Sequence, residues 1–186
     1  VFMAMYCPKQ IYKPLKAATE LLAGIPSVIY GFFGLVVVVP LIREFGTALY
    51  RAGLVSKPGN GNSILTASLI LGMMILPTII GTTESAMRAV PAHYYEGSLA
   101  LGATKERSIF RVIIPAAKSG VIAGIVLGIG RAIGETMAVI MIVGNQARLT
   151  GSLLDGIRTL TGNIVIEMGY ATGLHREALI ATGVVL

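Results

Sequence analysis

Arg131 and Glu135 are the residues whose chemistry stands out, because both lie inside the long apolar segment 119–143. Arg131 lies about 12 residues into that segment, roughly 18 Å along the axis if the segment is one helix. A spacing of four residues then puts both side chains on one helical face. An ionised group inside a membrane costs at least about 2.5–3.5 kcal/mol and marks a functional site by default. The planar guanidinium of Arg131 suits an oxyanion, with Glu135 as its balance or gate. A structural ion pair that fixes helix packing is the alternative.

Composition predicts that lipid is the solvent around these residues. The chain has 186 residues, of which 54% are hydrophobic and only 13% are charged, whereas soluble domains carry about 25% charged residues. The mean hydropathy is +0.78. Since a membrane span needs about 20 apolar residues, the sequence predicts one transmembrane domain over 1–186, with spans at about 17–42, 63–82 and 119–143, a partial span at 176–186, and a loop at 83–118. The expected fold is an all-α, multi-span helical bundle.

Basic residues indicate which side of the membrane each loop occupies. Eight lie in one set of alternate loops, namely Lys9, Lys13, Lys16, Arg88, Lys105, Arg107, Arg111 and Lys118. Five lie in the other set, namely Arg43, Arg51, Lys57, Arg148 and Arg158. The larger set faces the cytoplasm by the positive-inside rule, so loop 83–118 is predicted to be cytoplasmic. Glu20 and Glu84 flank spans and are expected at the interface. Gly120, Gly124 and Gly128 recur every four residues, which predicts close helix packing.

Several classes of protein are disfavoured by what the sequence lacks. It has no Gly-x-x-x-x-Gly-Lys-Ser/Thr loop for ATP, no Gly-x-Ser-x-Gly elbow and no His-Glu-x-x-His motif. We therefore predict no catalytic residues. A metal site is not expected, because Cys7 stands alone and His93 is far from His175. The net charge of +6 is scattered between apolar runs and Trp is absent, which argues against nucleic-acid binding.

The cytoplasmic loop contains a spaced set of small, acidic and apolar residues. The segment reads Glu96-Gly97-Ser98, then Gly102, then Val112-Ile113-Ile114-Pro115. Its pattern predicts a helix–turn–helix at the membrane surface, with Gly102 allowing a turn at positive φ. Gly97 is expected to weaken the local helix by up to about 1 kcal/mol relative to Ala. An ordinary amphipathic surface loop is the alternative that composition alone favours.

The spacing of that set resembles the signature loop of binding-protein-dependent ABC importer permeases. The family signature is Glu-Ala-Ala, three residues, Gly, nine residues, then Ile-x-Leu-Pro. Glu96, Gly102 and Pro115 match it, Val112 and Ile114 are conservative replacements, and Gly97 and Ser98 keep the alanine positions small. The resemblance implies a type I (MetI-like) permease fold in which this loop forms a coupling helix on a cytoplasmic ATPase subunit. The incomplete ends imply a fragment of a six-span chain.

Two further stretches resemble phosphate-importer permeases, in their PstC-type rather than PstA-type form. These are Leu21–Gly31 and Gly130–Val139, the latter followed by Gly144-Asn145. The resemblance implies a dimer of ATPase subunits that holds ATP and Mg, a PstA-type second permease, and a periplasmic or extracellular phosphate-binding protein. It also implies a bacterial or archaeal inner membrane and no cofactor in this chain. Permeases for phosphonate, sulfate, molybdate or an amino acid remain alternatives. An ion-coupled secondary transporter or channel is the rival class, and it has no use for the loop from Glu96 to Pro115.

Overall fold

The computed structural model describes all 186 residues and is built from helices without any strand. Three five-residue π-helical segments, Phe2–Tyr6, Gly34–Val38 and Ile109–Ile113, accompany the α-helices. The α-helices are α1 (Lys9–Gly24), α2 (Ser27–Phe33), α3 (Val39–Arg51), α4 (Ile64–Arg88), α5 (Ala92–Ala100), α6 (Lys105–Ser108), α7 (Ile114–Ala116), α8 (Lys118–Gly134), α9 (Met137–Ile142), α10 (Leu160–Glu167) and α11 (Gly173–Val185).

The residues form two compact units. The first unit comprises Val1–Gly24 and Ile75–Arg131, and the second comprises Ile25–Met74 and Ala132–Leu186. The chain therefore passes from one unit to the other three times: between α1 and α2, within α4, and near the end of α8.

Close approach of α8 to α4 organises the first unit. Gly120, Gly124 and Gly128 face Ala86, Thr82 and Ile79 respectively. A Cβ atom on Gly128 would lie 2.7 Å from Cγ1 of Ile79, so a larger residue would push the helices apart. This confirms the packing predicted from the four-residue glycine spacing.

The first unit also contains a small apolar core, next to the first residues of the chain. Its buried members are Met87, Ile109, Ile113 and Ala117. Ala4, Met5 and Tyr6 pack against them. The N-terminal segment is thus fixed to the helices that flank α5 by apolar burial, at about 25 cal/mol per Å² of apolar surface removed from solvent.

The second unit has its own core, centred on α2, the first part of α4, and α9. It contains Tyr30, Val39, Ala67, Ile70, Met74, Ala138, Val139, Ile142 and Val143. Gly31 lets α2 approach the backbone of α9, because a Cβ atom there would lie 2.9 Å from Cα of Ala138. This core therefore sets the position of α9, the helix that directly follows Glu135.

The helix boundaries differ from the predicted spans in ways that proline and glycine explain. The predicted span 17–42 is interrupted after Gly24, because Pro26 disfavours helical geometry at Ile25. The following helical run reaches Arg51, nine residues beyond the predicted end at Ile42. The predicted span 63–82 continues to Arg88, into the stretch assigned to the loop. The predicted span 119–143 breaks between Gly134 and Met137, and the last helix begins at Gly173 rather than at 176.

Two helical runs are long and apolar enough to cross a membrane. They are Ser27–Arg51 and Ile64–Arg88, and a third span is formed if Lys105–Ala116 and Lys118–Gly134, bent by 69°, count as one. Large aliphatic side chains such as Leu76, Val126 and Leu127 are exposed along them, as expected for surfaces that face lipid. The all-α membrane fold predicted from the sequence is confirmed.

Candidate functional site

The loop that carries the signature residues is a short helix closed by a left-handed turn. Helix α5 starts after Pro91, whose extended backbone (φ −57°, ψ 135°) serves as its N-cap. It ends before Gly102, which has φ +85°. The N–H of Gly102 donates to the carbonyl of Leu99 at 2.9 Å, and that of Ala103 to Ser98 at 3.2 Å. The predicted positive φ at Gly102 is confirmed.

Serine and threonine hydroxyls fix the helix that follows the turn. The hydroxyl of Thr104 accepts from the N–H of Arg107 at 3.3 Å and caps α6. The hydroxyls of Ser98 and Ser108 are 2.9 Å apart, and Ser108 is fully buried. Ser98, one of the two positions where the family signature has alanine, therefore ties α5 to α6.

Most signature residues are exposed to solvent. Glu96, Gly97, Gly102 and Pro115 are exposed, whereas Val112 and Ile114 are half-buried on the stem that leads into α8. Leu101, beside the turn, is 91% exposed, and no atom lies within 4 Å of a Cβ built on Gly97. The helix therefore offers a small, open face with a protruding leucine, a shape suited to close contact with another protein.

A buried carboxylate, Glu84, lies one turn before the end of α4. Glu84 is only 4% exposed, so the carboxylate predicted to lie at the interface is enclosed by other residues of the chain. It accepts hydrogen bonds from the Tyr12 hydroxyl at 2.6 Å, the Lys16 ammonium at 3.0 Å and Nε of Arg88 at 2.9 Å. The bond to Glu84 raises the pKa of Lys16 and that of the Tyr12 hydroxyl. Sequence reasoning missed this cluster, although the four-residue spacing of Glu84 and Arg88 was a visible signal.

Arg131 and Glu135 do not lie on one continuous helix. Helix α8 ends at Gly134, and the N–H of Glu135 closes a turn on the carbonyl of Ala132 at 3.3 Å. The Glu135 carboxylate instead accepts from the N–H of Ala138 at 3.3 Å, in the first turn of α9. A negative charge is favourable at such a helix N-terminus. The shared helical face predicted from the spacing is therefore wrong, while both residues are half-buried.

Glu135 lines a cavity of about 430 Å³ within the second unit. Apolar residues supply most of the wall, and the polar side chains are Ser68, Glu135, Arg158, Thr159 and Thr161. The Thr161 hydroxyl donates to the carbonyl of Glu135 at 3.4 Å. The cavity combines an apolar wall with few polar groups, which is typical of small-ligand sites.

Arg158 is a cation of this cavity that sequence reasoning had assigned only to an outer loop. Its Nη1 donates to Glu167 at 2.8 Å and to Asn163 at 3.4 Å, and its Nε donates to the carbonyl of Asn145 at 3.3 Å. A hydrogen bond from Tyr170, with Arg158 alongside, holds the pKa of Glu167 below its ordinary value. No local sequence motif identifies Arg158 as a cavity residue, because the cavity is formed by segments far apart in the sequence.

The chain resembles known membrane permeases over its whole length. It is 40% identical over 188 residues to the "Probable ABC transporter permease protein YqgH" of Bacillus subtilis. It is 38% identical over 194 residues to the "Phosphate transport system permease protein PstC" of Xylella fastidiosa (strain Temecula1), and 37% identical over 197 residues to "PstC 2" of Mycobacterium tuberculosis. All of this chain is covered in each case, but only 58%, 60% and 60% of the respective relatives. The chain thus spans about 60% of the length of these curated relatives.

A family assignment follows from the helical membrane fold, the exposed α5 loop and a direct family match. The family described as "Binding-protein-dependent transport system inner membrane component" matches residues 1–185. The chain belongs to this family of binding-protein-dependent inner-membrane transport components.

Proposed function

We propose that the protein containing this chain is a permease subunit of an ATP-driven importer of phosphate. The observation that carries the proposal is the full-chain similarity to relatives named as phosphate transport permeases. The geometry supports it, because the chain combines an exposed docking helix with half-buried polar groups in apolar surroundings.

The docking loop, defined as residues 91–104, is the proposed contact with a cytoplasmic ATPase subunit. Its exposed face brings Glu96, Gly97 and Leu101 to the surface, and Gly102 fixes the direction in which the chain returns. Glu96 provides a negative charge for an ion pair with a basic residue of the ATPase, and Leu101 provides apolar surface for contact with it. ATP and Mg would be bound by that ATPase, of which two copies are expected.

The proposed translocation path uses Arg131 and Glu135, with Arg158 beside Glu135 in the same cavity. A guanidinium can bind two oxygens of a phosphate at once. Carboxylates near the path oppose tight anion binding, and a transport path needs binding weak enough to permit release. A second, PstA-type permease and a phosphate-binding protein outside the membrane would complete the complex.

Uptake of labelled phosphate tests the proposal. The full-length permease, its second permease, the ATPase and the binding protein are reconstituted in vesicles, and uptake is measured with and without ATP. ATP-dependent phosphate uptake is expected, with weak competition by sulfate, molybdate or phosphonate. Uptake of one of those anions in place of phosphate would refute the substrate assignment.

Substitution of Arg131 tests the path. Arg131→Gln is expected to abolish phosphate uptake while the complex still assembles, because Gln remains polar but loses the positive charge and the guanidinium fork. Arg43→Gln is the matched control, since Arg43 is an exposed arginine of α3 without an ion pair. Normal uptake by Arg131→Gln would assign Arg131 to helix packing instead.

Substitution of Gly102 tests the docking role and separates an ATP-driven permease from an ion-coupled transporter. Asp at φ +85° is strained and adds charge beside the turn. Gly102→Asp should therefore abolish capture of the ATPase and ATP-dependent uptake together. Gly53→Asp is the matched control, because Gly53 also has a positive φ of +72° in open space and lies outside the docking loop. If Gly102→Asp retained both activities, the docking proposal would fail.

A further inference from the structure

The docking loop is fastened at both ends to the N-terminal segment of the chain, residues 1–16. Before the loop, Arg88 lies over the ring of Tyr12, with 4.7 Å from Cζ to the ring centroid. After the loop, the ammonium of Lys105 lies 5.0 Å from the ring centroid of Tyr6. Each stem of the loop thus carries a cation that contacts a tyrosine of the same segment, a favourable arrangement.

The stem before the loop carries the stronger attachment. Both oxygens of Glu84 are used, since Oε1 accepts from Tyr12 and Arg88 and Oε2 accepts from Lys16. Nη2 of Arg88 also donates to the carbonyl of Met3 at 3.3 Å. We call Tyr12, Lys16, Glu84 and Arg88 the Glu84 clasp, and it joins α1 to the end of α4 through directional, charge-assisted bonds.

Apolar burial alone can hold two helices together. The clasp also fixes the position of α1 relative to the end of α4. Only the carboxylate of the clasp is buried, since the Lys16 and Arg88 side chains remain 31% and 49% exposed. An ion pair with a buried member is weak evidence for stability, and its best-attested use is to fix register. Helix α1 also leads directly, through Gly24, into the break at Ile25 and Pro26 where the chain leaves the first unit. A displacement of the docking loop would therefore carry α1 with it.

We propose that the Glu84 clasp is a positioning device for transport, which makes α1 and the docking loop move as one body when the ATPase acts. Two helices then transmit the motion of the loop. Helix α4 transmits it because the chain is continuous with the loop, and α1 transmits it because the clasp joins α1 to the end of α4. This inference rests on the proposed function, since it presumes an ATPase that acts on the docking loop.

The number of phosphate ions imported per ATP hydrolysed tests the proposal in the complete reconstituted complex. Lys16→Gln and Glu84→Gln should lower this ratio by about fivefold or more, the lower end of typical coupling strengths, while ATP hydrolysis continues. Tyr12→Phe, which keeps the ring beneath Arg88 but loses the hydroxyl, should have a smaller effect in the same direction. Lys16→Arg keeps a cationic donor and should restore the ratio.

Lys13→Gln is the matched control, because Lys13 lies on the same helix, is exposed and makes no ion pair. It should keep the wild-type ratio. A merely structural clasp would lower the amount of assembled complex and leave the ratio of the assembled fraction unchanged, which would overturn the inference. If Glu84→Gln does not assemble, Lys16→Gln and Tyr12→Phe decide by the same ratio. Failure of the wild-type complex to import phosphate with ATP would instead overturn the proposed function.

Discussion

Two pairs of opposite charges, each four residues apart, behave differently in this chain. Glu84 and Arg88 lie on the continuous helix α4 and form an ion pair at 2.9 Å. Arg131 and Glu135 have the same spacing, but α8 ends at Gly134, and the carboxylate of Glu135 binds the N–H of Ala138. Spacing therefore predicts a shared face only where the helix continues through both residues.

The order of the charges in the two pairs contributes to this difference. An acidic residue four positions before a basic one is the more favourable arrangement, because it agrees with the helix dipole. Glu84 precedes Arg88, whereas Arg131 precedes Glu135. In the second pair the carboxylate would lie at the C-terminal end of α8, where the dipole disfavours it. It lies instead at the start of α9, where the dipole is favourable.

The largest expected effect comes from leaving Glu84 without its cations. Lys16→Met combined with Arg88→Met should destabilise the folded chain by about 3–5 kcal/mol, the usual cost of an uncompensated buried charge. Thermal unfolding in detergent measures it. Lys13→Met combined with Arg111→Met changes two exposed cations and serves as the control. A loss no larger than in this control would remove the contrast between the two pairs.

A smaller effect is expected where the second pair is interrupted. Gly134 has open space around it, so Gly134→Ala should favour helix at the end of α8 by up to about 1 kcal/mol. We expect a modest rise in thermal stability with slower phosphate uptake, because Glu135 would be drawn away from its cavity. Gly130→Ala, also in open space but one turn before the end of α8, is the control. Unchanged uptake by Gly134→Ala would show that the break does not position Glu135.

The smallest effect concerns Arg158, whose charge partner comes from nine residues away rather than four. Because the hydrogen bond from Tyr170, together with Arg158, lowers the pKa of Glu167 in the folded chain, these contacts of the Glu167 carboxylate stabilise the region at neutral pH. That contribution is lost as the pH falls through the lowered folded pKa, below the ordinary value. Hydrogen exchange of α10 should therefore accelerate in that acidic range, and Glu167→Gln should remove the pH dependence. An unchanged pH profile in Glu167→Gln would contradict it.

The parts of the fold that depend on local chemistry were predictable from the sequence. Apolar run length predicted helices across 63–82 and 119–143, glycine spacing predicted the contact of α8 with α4, and Gly102 predicted the left-handed turn. The break at Ile25 and Pro26 also has a local cause, since Pro26 disfavours helical geometry at Ile25. The sequence nevertheless predicts a single span there, because the apolar run is long enough to cross a membrane. The end of α8 is harder to predict, because Gly134 competes with the apolar residues on both sides of it.

The Glu84 clasp and the Glu135 cavity were not predictable, since both depend on residues far apart in the sequence. Tyr12 and Lys16 are 72 and 68 residues away from Glu84, and no pattern within one helix reports such partners. Glu84 can be buried because these donors satisfy its carboxylate. Without knowledge of the donors, the sequence does not distinguish Glu84 from an ordinary interfacial carboxylate. Arg158 likewise joins Glu135 only through the packing of the second unit.

Gly102 makes the docking loop depend on handedness at a single atom. At φ +85° the backbone occupies a region that L-amino acids resist and their mirror images accept. A semisynthetic permease with D-alanine at position 102 should therefore keep the turn, whereas L-alanine should distort it. The surface that the docking loop presents to the ATPase would then be controlled by the chirality of one carbon, at constant composition, charge and side-chain volume.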